Sequence, residues 1–222
     1  MADDRGPQPR APGEGRIPLA VQVAFTLFMA VLVPCYWAYH GPANFLWICD
    51  LALLLTVVAF WTHSRLLASM QLVAVLLPSL IWLADFLTHL LSGAFLTGWT
   101  RYMFRDDVPL HIRGLSLFHG WFPLLLLWAV WRLGYDGRGW VAQTVLTWVV
   151  LPICFFFTDP ARALNGVFGP SGSRPQTWVA PGLWLALMML VYPACVYLPT
   201  HLVLRRLFGG RGRPKPEEPR TP

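Results

Sequence analysis

Apolar residues along this chain fall into six long runs separated by short polar stretches. The runs cover residues 17–39, 44–61, 66–89, 111–133, 140–157 and 178–208. About 20 residues at ~1.5 Å each cross a hydrocarbon layer of ~30 Å, so each run is long enough, or nearly so, for one span. The pattern predicts an all-α, polytopic transmembrane helix bundle with six spans. The third and sixth runs contain Pro78, Pro193 and Pro199, which predict kinks or tilt.

The two ends of the chain are polar. Residues 1–16 and 209–222 mix charges with proline and glycine and hold too little apolar surface to fold. We therefore expect a disordered N-terminal tail, a six-span domain over residues 17–208 and a disordered basic C-terminal tail. The first run is longer than the apolar region of a signal peptide and no A-x-A site follows it, so it is interpreted as a retained span.

The overall composition agrees with a membrane protein. Hydrophobic residues make up 56% of the chain and charged residues 13%, against about 25% charged in soluble domains. The four cysteines lie in or beside apolar runs and do not form a disulfide framework. Most basic residues flank the runs, so the net charge of +6 indicates contact with membrane lipids and not with nucleic acid.

Lysine and arginine counts predict the orientation of the bundle. With six spans, twelve of these residues lie on the side of the termini and five on the other side. The positive-inside rule then places both termini in the cytoplasm. Sixteen of the 17 basic residues are arginine, which indicates a GC-rich bacterial genome. The predicted location is the bacterial cell inner membrane, with loops 97–110 and 159–176 outside.

Polar residues inside the spans fall within one layer of the outer half. Cys49 lies ~9 Å into the second span and His119 ~12 Å into the fourth, and Asp85 lies late in the third. A buried carboxylate costs ~3 kcal/mol or more unless it has a partner, so such residues are functional candidates. The layer comprises Cys49, Asp50, Asp85, His89, Ser116 and His119.

This layer admits a catalytic interpretation. Cys49 is nucleophilic only as a thiolate, and His119 is the nearest base by depth. Ser116 is one helical turn before His119 and is suited to orient the imidazole ring. Asp50 or Asp85 is the alternative residue for this orienting role.

The same residues also have a structural interpretation. Cys49 fits a small packing residue, and His119 fits a hydrogen bond to a backbone carbonyl. Asp50 fits a charge at a helix start or an interhelical contact, and Asp85 with His89 fits a neutralising pair.

A substrate pocket beside this layer would include His89, Ser116 and Arg113. The guanidinium of Arg113 is suited to a phosphate headgroup, or is simply an interface charge. No G-x-S-x-G, H-E-x-x-H, Walker or C-x-x-C motif occurs, and no ligand spacing supports a metal site. We expect neither a cofactor nor a metal.

Two segments carry a family resemblance. WICDLALLLTVVAFWTHSRLL and, in a later span, LSLFHGWFPLLLLWAVWRLGYDGRGW resemble the YwaF-like bacterial integral membrane proteins. These have six spans, a Cys-Asp pair opening one helix and a His-Gly pair in a later helix. The group is distantly similar to the androgen-induced-gene lipid hydrolases and to an ether-lipid acyltransferase. Over residues 44–140, the resemblance implies Cys49 as nucleophile and His119 as base.

Two functional hypotheses therefore follow. In the first, the protein is a lipid acyl hydrolase or acyltransferase that uses Cys49 and His119. In the second, it is a non-catalytic membrane protein, such as a small transporter or an assembly factor, whose buried Asp and His residues carry protons or stabilise the bundle.

Overall fold

The protein is an all-α bundle, described by a computed structural model over residues 15–170 and 175–208. No β-strand occurs in these residues. Two rods are composite: α4 continues into α5 across Leu117, and α7 joins α8 through a π-helical segment, so the helices form six rods. The α-helices are α1 (Leu19–His40), α2 (Ile48–Trp61), α3 (Arg65–Ser92), α4 (Leu110–Ser116), α5 (Phe118–Leu133), α6 (Gly139–Phe157), α7 (Pro181–Val191) and α8 (Leu198–Phe208).

Five helical stretches of the described chain are long and apolar enough to cross a membrane, which is compatible with an integral membrane protein. They are Leu19–His40, Arg65–Ser92, Leu110–Leu133, Gly139–Phe157 and Pro181–Phe208. The sixth helix, α2, is also apolar but has only 14 residues. The predicted tails, apart from residues 15 and 16, lie outside the described residues.

The second rod begins later than its apolar run predicts. Residues Pro42–Leu46 form a 3-10 turn, and Trp47 has an extended ψ of 132°, so α2 starts at Ile48. Cys49 is therefore the second residue of its helix. In the sixth rod, the segment Tyr192–Tyr197 is π-helical and begins beside Pro193.

Contacts between distant residues define two faces of the bundle. The backbone N–H of Ile17 donates to His63 Nδ1 at 3.3 Å, and Tyr135 Oη lies 2.8 Å from His201 Nδ1. Four parts of the chain thus meet at one face, which we call the terminal face. They are the start of α1, the α2–α3 connection, the α5–α6 connection and α8.

The opposite face, which we call the loop face, carries the two long loops. These loops are residues 93–109 and 158–180, and the structure describes the second except for residues 171–174. At this face the hydroxyl groups of Tyr36 and Ser116 lie 2.8 Å apart and join α1 to α4.

Helix α3 lies at the centre and packs against α2, α5 and α6. Eight consecutive residues, Ala68 to Val75, are buried, as expected for a helix with neighbours on all sides. Gly139 allows the α3–α6 approach, because a Cβ there would lie 2.9 Å from the backbone nitrogen of Met70. This central position lets α3 bring polar groups of the other helices together.

Candidate functional site

Asp50 lies in the first turn of α2 with one hydrogen-bond donor. Its side chain is 3% exposed and accepts a bond of 2.6 Å from Asn44 Nδ2. The 3-10 turn that delays the start of α2 brings Asn44 back over this first turn. Among the described residues, no Lys, Arg or His side chain forms an ion pair with Asp50. Asp50 is thus a buried carboxyl with a neutral partner.

Asn165 fastens the second long loop onto the start of α2. Its Oδ1 accepts the backbone N–H of Ile48 at 2.9 Å, and its Nδ2 donates to the carbonyl of Leu46 at 2.8 Å. The Nδ2 also lies 3.4 Å from Cys154 Sγ on α6. A side-chain oxygen on the first N–H groups of a helix satisfies donors that have no intrahelical acceptor. Asn165 therefore fixes the turn on which Asp50 is placed.

Ser116 connects three elements near Asp50. Its hydroxyl donates to the carbonyl of Ile112 at 3.0 Å and contacts the Tyr36 hydroxyl. Tyr102, from the loop after α3, interacts with the side chain of Ser116, and burial raises the pKa of Tyr102 to about 12. Tyr36 and Tyr102 both interact electrostatically with Asp50. These contacts assemble a polar cluster on the loop-face side of the bundle.

His119 belongs to the edge of this cluster. Its Nδ1 lies 2.9 Å from the carbonyl oxygen of Ser116, and a carbonyl only accepts, so Nδ1 carries the hydrogen. The ring stacks on Trp82 at 4.9 Å between centroids and lies 4.0 Å from the Phe118 ring. Stacking and the hydrogen bond together fix the ring orientation and leave Nε2 as the basic nitrogen of a neutral ring.

Cys49 and His119 make no hydrogen bond to each other within residues 15–170 and 175–208. Cys49 interacts with its neighbour Asp50, and it is close enough to Tyr36, Tyr102 and Tyr192 to affect them electrostatically. Its partners are thus acidic or neutral groups, which do not favour a thiolate. The structure places Cys49 beside the polar cluster without a base in contact.

Asp85 has a different role from Asp50. It is fully buried, and each of its oxygens accepts two hydrogen bonds from the loop that follows α3. The donors are the backbone N–H groups of Thr97 (2.6 Å), Gly98 (3.0 Å) and Thr100 (2.9 Å) and the hydroxyl of Thr100 (2.6 Å). The carboxylate is saturated by local donors, so it anchors the loop, and within residues 15–170 and 175–208 it forms no hydrogen bond to His119.

The remaining candidates surround this anchored loop. The His89 ring lies between two aromatic rings, with centroid distances of 3.8 Å to Phe95 and 4.1 Å to Phe104. Its buried Nδ1 has no hydrogen-bond partner among the described residues. Arg113 donates from Nη1 to the carbonyl of Met103 at 3.3 Å. His89 and Arg113 thus both contact the loop after α3, and among the described residues neither forms a hydrogen bond or an ion pair with Asp50.

The sequence pattern alone missed four residues of the polar cluster. Hydropathy and spacing do not single out Tyr36, Tyr102 and Trp82, and Asn165 lies in a loop far along the chain. The one available signal was Asn44, which lies six residues before Asp50 in a run too short for a full span. In the described part of the chain, no group of three or more His, Cys, Asp or Glu residues is arranged to hold a metal ion.

Comparisons with protein families, with curated proteins and with solved structures find no match to this chain. The resemblance to the YwaF-like proteins therefore stays a prediction, and function has to be inferred from the geometry of the site.

Proposed function

We propose that this chain is a non-catalytic, multi-pass membrane protein of the small-transporter class in which Asp50 reversibly binds a proton. The observation that carries the proposal is the environment of the Asp50 carboxyl. It is 3% exposed, and its hydrogen-bond partner is the neutral amide of Asn44. The titratable groups that interact with it are Tyr36, Tyr102 and Cys49, all uncharged at neutral pH.

A buried carboxyl without a neighbouring cation has little to stabilise its negative charge. Whether it is protonated therefore depends on the hydrogen bonds and the water that its surroundings provide. In proton-coupled membrane proteins, intramembrane carboxyl groups carry the exchanged proton. Asp85 is less suited to this task, because its four hydrogen bonds favour a permanently ionised carboxylate that holds a loop. The proposal therefore assigns proton exchange to Asp50 and loop anchoring to Asp85.

Infrared difference spectroscopy tests this assignment on the purified, full-length protein. Difference spectra between two pH values that both lie above about pH 6, where exposed carboxyl groups stay ionised, should contain a carboxylic-acid C=O band, which Asp50→Asn removes. Asp107→Asn, a carboxyl in the exposed loop paired with Arg105, is the matched control and should keep the band. A band that persists in Asp50→Asn, or no band in the wild-type protein, would refute the proposal.

One observation favours the acyl-transfer hypothesis as a second candidate. The Nδ1–H bond of His119 to the Ser116 carbonyl leaves Nε2 as the proton acceptor, as a general base requires. In this reaction the Cys49 thiol would give its proton to His119 Nε2 and attack a lipid ester carbonyl. The ester C–O bond would break, the departing alcohol would take the proton from His119, and the acyl group would remain as a thioester that mass spectrometry detects on Cys49. Unchanged lipid acyl turnover in Cys49→Ser and His119→Ala would exclude this candidate.

The proposed location is the bacterial inner membrane, with the terminal face in the cytoplasm. It is supported by the twelve Lys and Arg residues predicted on the side of the termini against five on the other. Reporter fusions test it: a cytoplasmic reporter should be active at both termini, and a periplasmic reporter only when inserted in loop 93–109 or loop 158–180.

A further inference from the structure

A second polar cluster lies deeper in the bundle, between α6 and the π-helical segment. The hydroxyl groups of Tyr197 and Thr147 lie 2.7 Å apart, and Gln143 Nε2 donates to both, at 3.4 and 3.2 Å. All three side chains have no exposed surface. A π-helical segment inside an α-helical rod is frequently found at functional sites, and Tyr197 is its last residue.

Two buried amide atoms, one in this cluster and one on the neighbouring helix α3, have no hydrogen-bond partner among the described residues. They are the acceptor Oε1 of Gln143 on α6 and the donor Nε2 of Gln71 on α3, and both side chains are at most 1% exposed. The two helices pack closely, with Gly139 against Ser69 and Met70. One open acceptor and one open donor fit a group that both donates and accepts, and water is the smallest such group.

The cluster continues towards the terminal face along α8. His201 is one turn beyond Tyr197, and its Nδ1 bonds to the Tyr135 hydroxyl at 2.8 Å. Gly137 also packs against this imidazole, since a Cβ there would lie 3.6 Å from its Cε1. Tyr135 and Gly137 line an open cavity of about 620 Å³, together with His63, Ser64, Arg65, Leu66, Asp136 and Arg138.

Towards the loop face, the cluster approaches the Asp50 site. The ring of Tyr192 lies 5.9 Å from that of Tyr197, and its hydroxyl donates to the carbonyl of Asn165 at 3.1 Å. Asn165 caps the start of α2, where Cys49 and Asp50 lie, and Tyr192 interacts electrostatically with Cys49. Polar groups thus follow one another from the cavity at the terminal face to the turn that carries Asp50.

We propose that this polar column binds water between Gln71 and Gln143 and carries protons between the cavity at the terminal face and Asp50. The proposal rests on the proton-binding role of Asp50. Each hydroxyl, the His201 ring and each water accepts a proton on one side and releases one on the other, so the bonds formed and broken balance. The Asn165 carbonyl only accepts a hydrogen bond, so the proposal needs water to carry the proton from the Tyr192 hydroxyl to the Asp50 carboxyl. The titratable or charged groups along the column are Cys49, Tyr135, Cys154, Tyr192, Tyr197, His201 and Arg205.

Proton flux into proteoliposomes tests the column. The full-length protein is reconstituted with a trapped pH dye, and a potassium gradient with valinomycin drives proton entry. Tyr197→Phe, Gln143→Leu and Gln71→Leu should each reduce the flux by about tenfold or more, equivalent to about 1.4 kcal/mol on the barrier. The thermal midpoint of Gln71→Leu should be equal to or higher than that of the wild type, because the leucine removes an unpaired buried polar atom.

A threonine pair on α6 supplies the matched control. Thr147 contacts Tyr197, whereas the Thr144 hydroxyl donates to the carbonyl of Trp140 in its own helix at 2.8 Å. Thr147→Val should reduce the flux, and Thr144→Val should leave it unchanged. Equal fluxes in these two variants would overturn the column, as would wild-type flux no greater than that of empty liposomes.

Different results would refute the polar column and the assignment of proton binding to Asp50. If the carboxylic-acid band depends on Asp50 but the flux is insensitive to Tyr197→Phe and Gln143→Leu, the column is wrong and the proton-binding role stands. If the band does not depend on Asp50, the proposed function fails whatever the flux.

Discussion

Replacing Asp85 by Asn should release the loop after α3. Asp85 Oδ1 accepts the N–H groups of Thr97 and Gly98, and Oδ2 accepts the N–H and hydroxyl of Thr100. An asparagine keeps one of these oxygens and directs its NH2 group at two donors, so at least two charge-assisted hydrogen bonds are lost. At ~1.5–3 kcal/mol each, the free energy of loop opening should fall by about 3–6 kcal/mol.

Limited proteolysis with trypsin measures this change, because Arg101 lies within the anchored loop. Cleavage of a folded protein in a loop follows the population of the locally opened state. A loss of 3 kcal/mol or more should therefore accelerate cleavage after Arg101 by at least about 100-fold. The fragments can be quantified by mass spectrometry of the protein in detergent micelles.

The matched control is Asp106→Asn, which makes the same chemical change at an exposed residue of the same loop. Its cleavage rate should stay close to that of the wild type. If Asp85→Asn is cleaved no faster than Asp106→Asn, the assignment of Asp85 as the loop anchor is wrong, and a role for this carboxylate in proton exchange regains support.

Asn165→Ala should lower the free energy of unfolding by about 2–4 kcal/mol, because one N–H and one carbonyl at the start of α2 lose buried partners. Gly139→Ala should lower it by about 1–3 kcal/mol, because the added methyl group meets the backbone nitrogen of Met70. Both are measured by denaturant titration in micelles. The side-chain hydrogen bond from Arg138 lowers the pKa of Asp136, so this pair stabilises the fold above about pH 4 and less as the pH falls through the lowered pKa. Arg138→Gln should lower the thermal midpoint at pH 7 and leave it unchanged at about pH 2.

Each of these outcomes has a contradicting result. Gly182→Ala is the control for Gly139→Ala, since a Cβ at Gly182 has no atom within 4 Å, and equal stability of the two variants would contradict the close α3–α6 approach. Full stability of Asn165→Ala would exclude its capping role. A midpoint difference for Arg138→Gln that persists at acidic pH would show that the Asp136 pair does not cause it.

The all-α class was predictable because each apolar run sets the length of one helix. The ends of most helices agree with their runs within three residues, and the start of α2 is the exception. There Asn44 turns back to bond Asp50, a contact between side chains that hydropathy does not contain. The resulting shift moves Cys49 to the first turn of its helix.

The sequence predicted which residues form the candidate site better than it predicted their hydrogen-bond partners. Residue type and depth indicated Asp50, Asp85 and His119, because polar groups in apolar runs require partners. The depth of a residue in a span does not give the side of the helix on which it lies. Depth therefore could not predict that Asp85 bonds a loop and that Asp50 bonds Asn44. It also left open whether His119 bonds a backbone carbonyl or acts as a base, and the structure places Nδ1 on the Ser116 carbonyl.

By itself, the sequence determined an all-helical chain with several segments that are apolar enough to cross a membrane, because hydrophobicity and length are local properties. Only the tertiary structure decided the partner of each buried polar group, because hydropathy and spacing along the chain do not say which donor or acceptor a side chain faces; some partners also come from distant parts of the chain. Asn165 lies 117 residues from Ile48, and Tyr197 lies 50 residues from Thr147. The distinction between a saturated Asp85 and a sparsely bonded Asp50 depends on how many donors the fold places around each carboxyl, and the proposed function depends on that distinction.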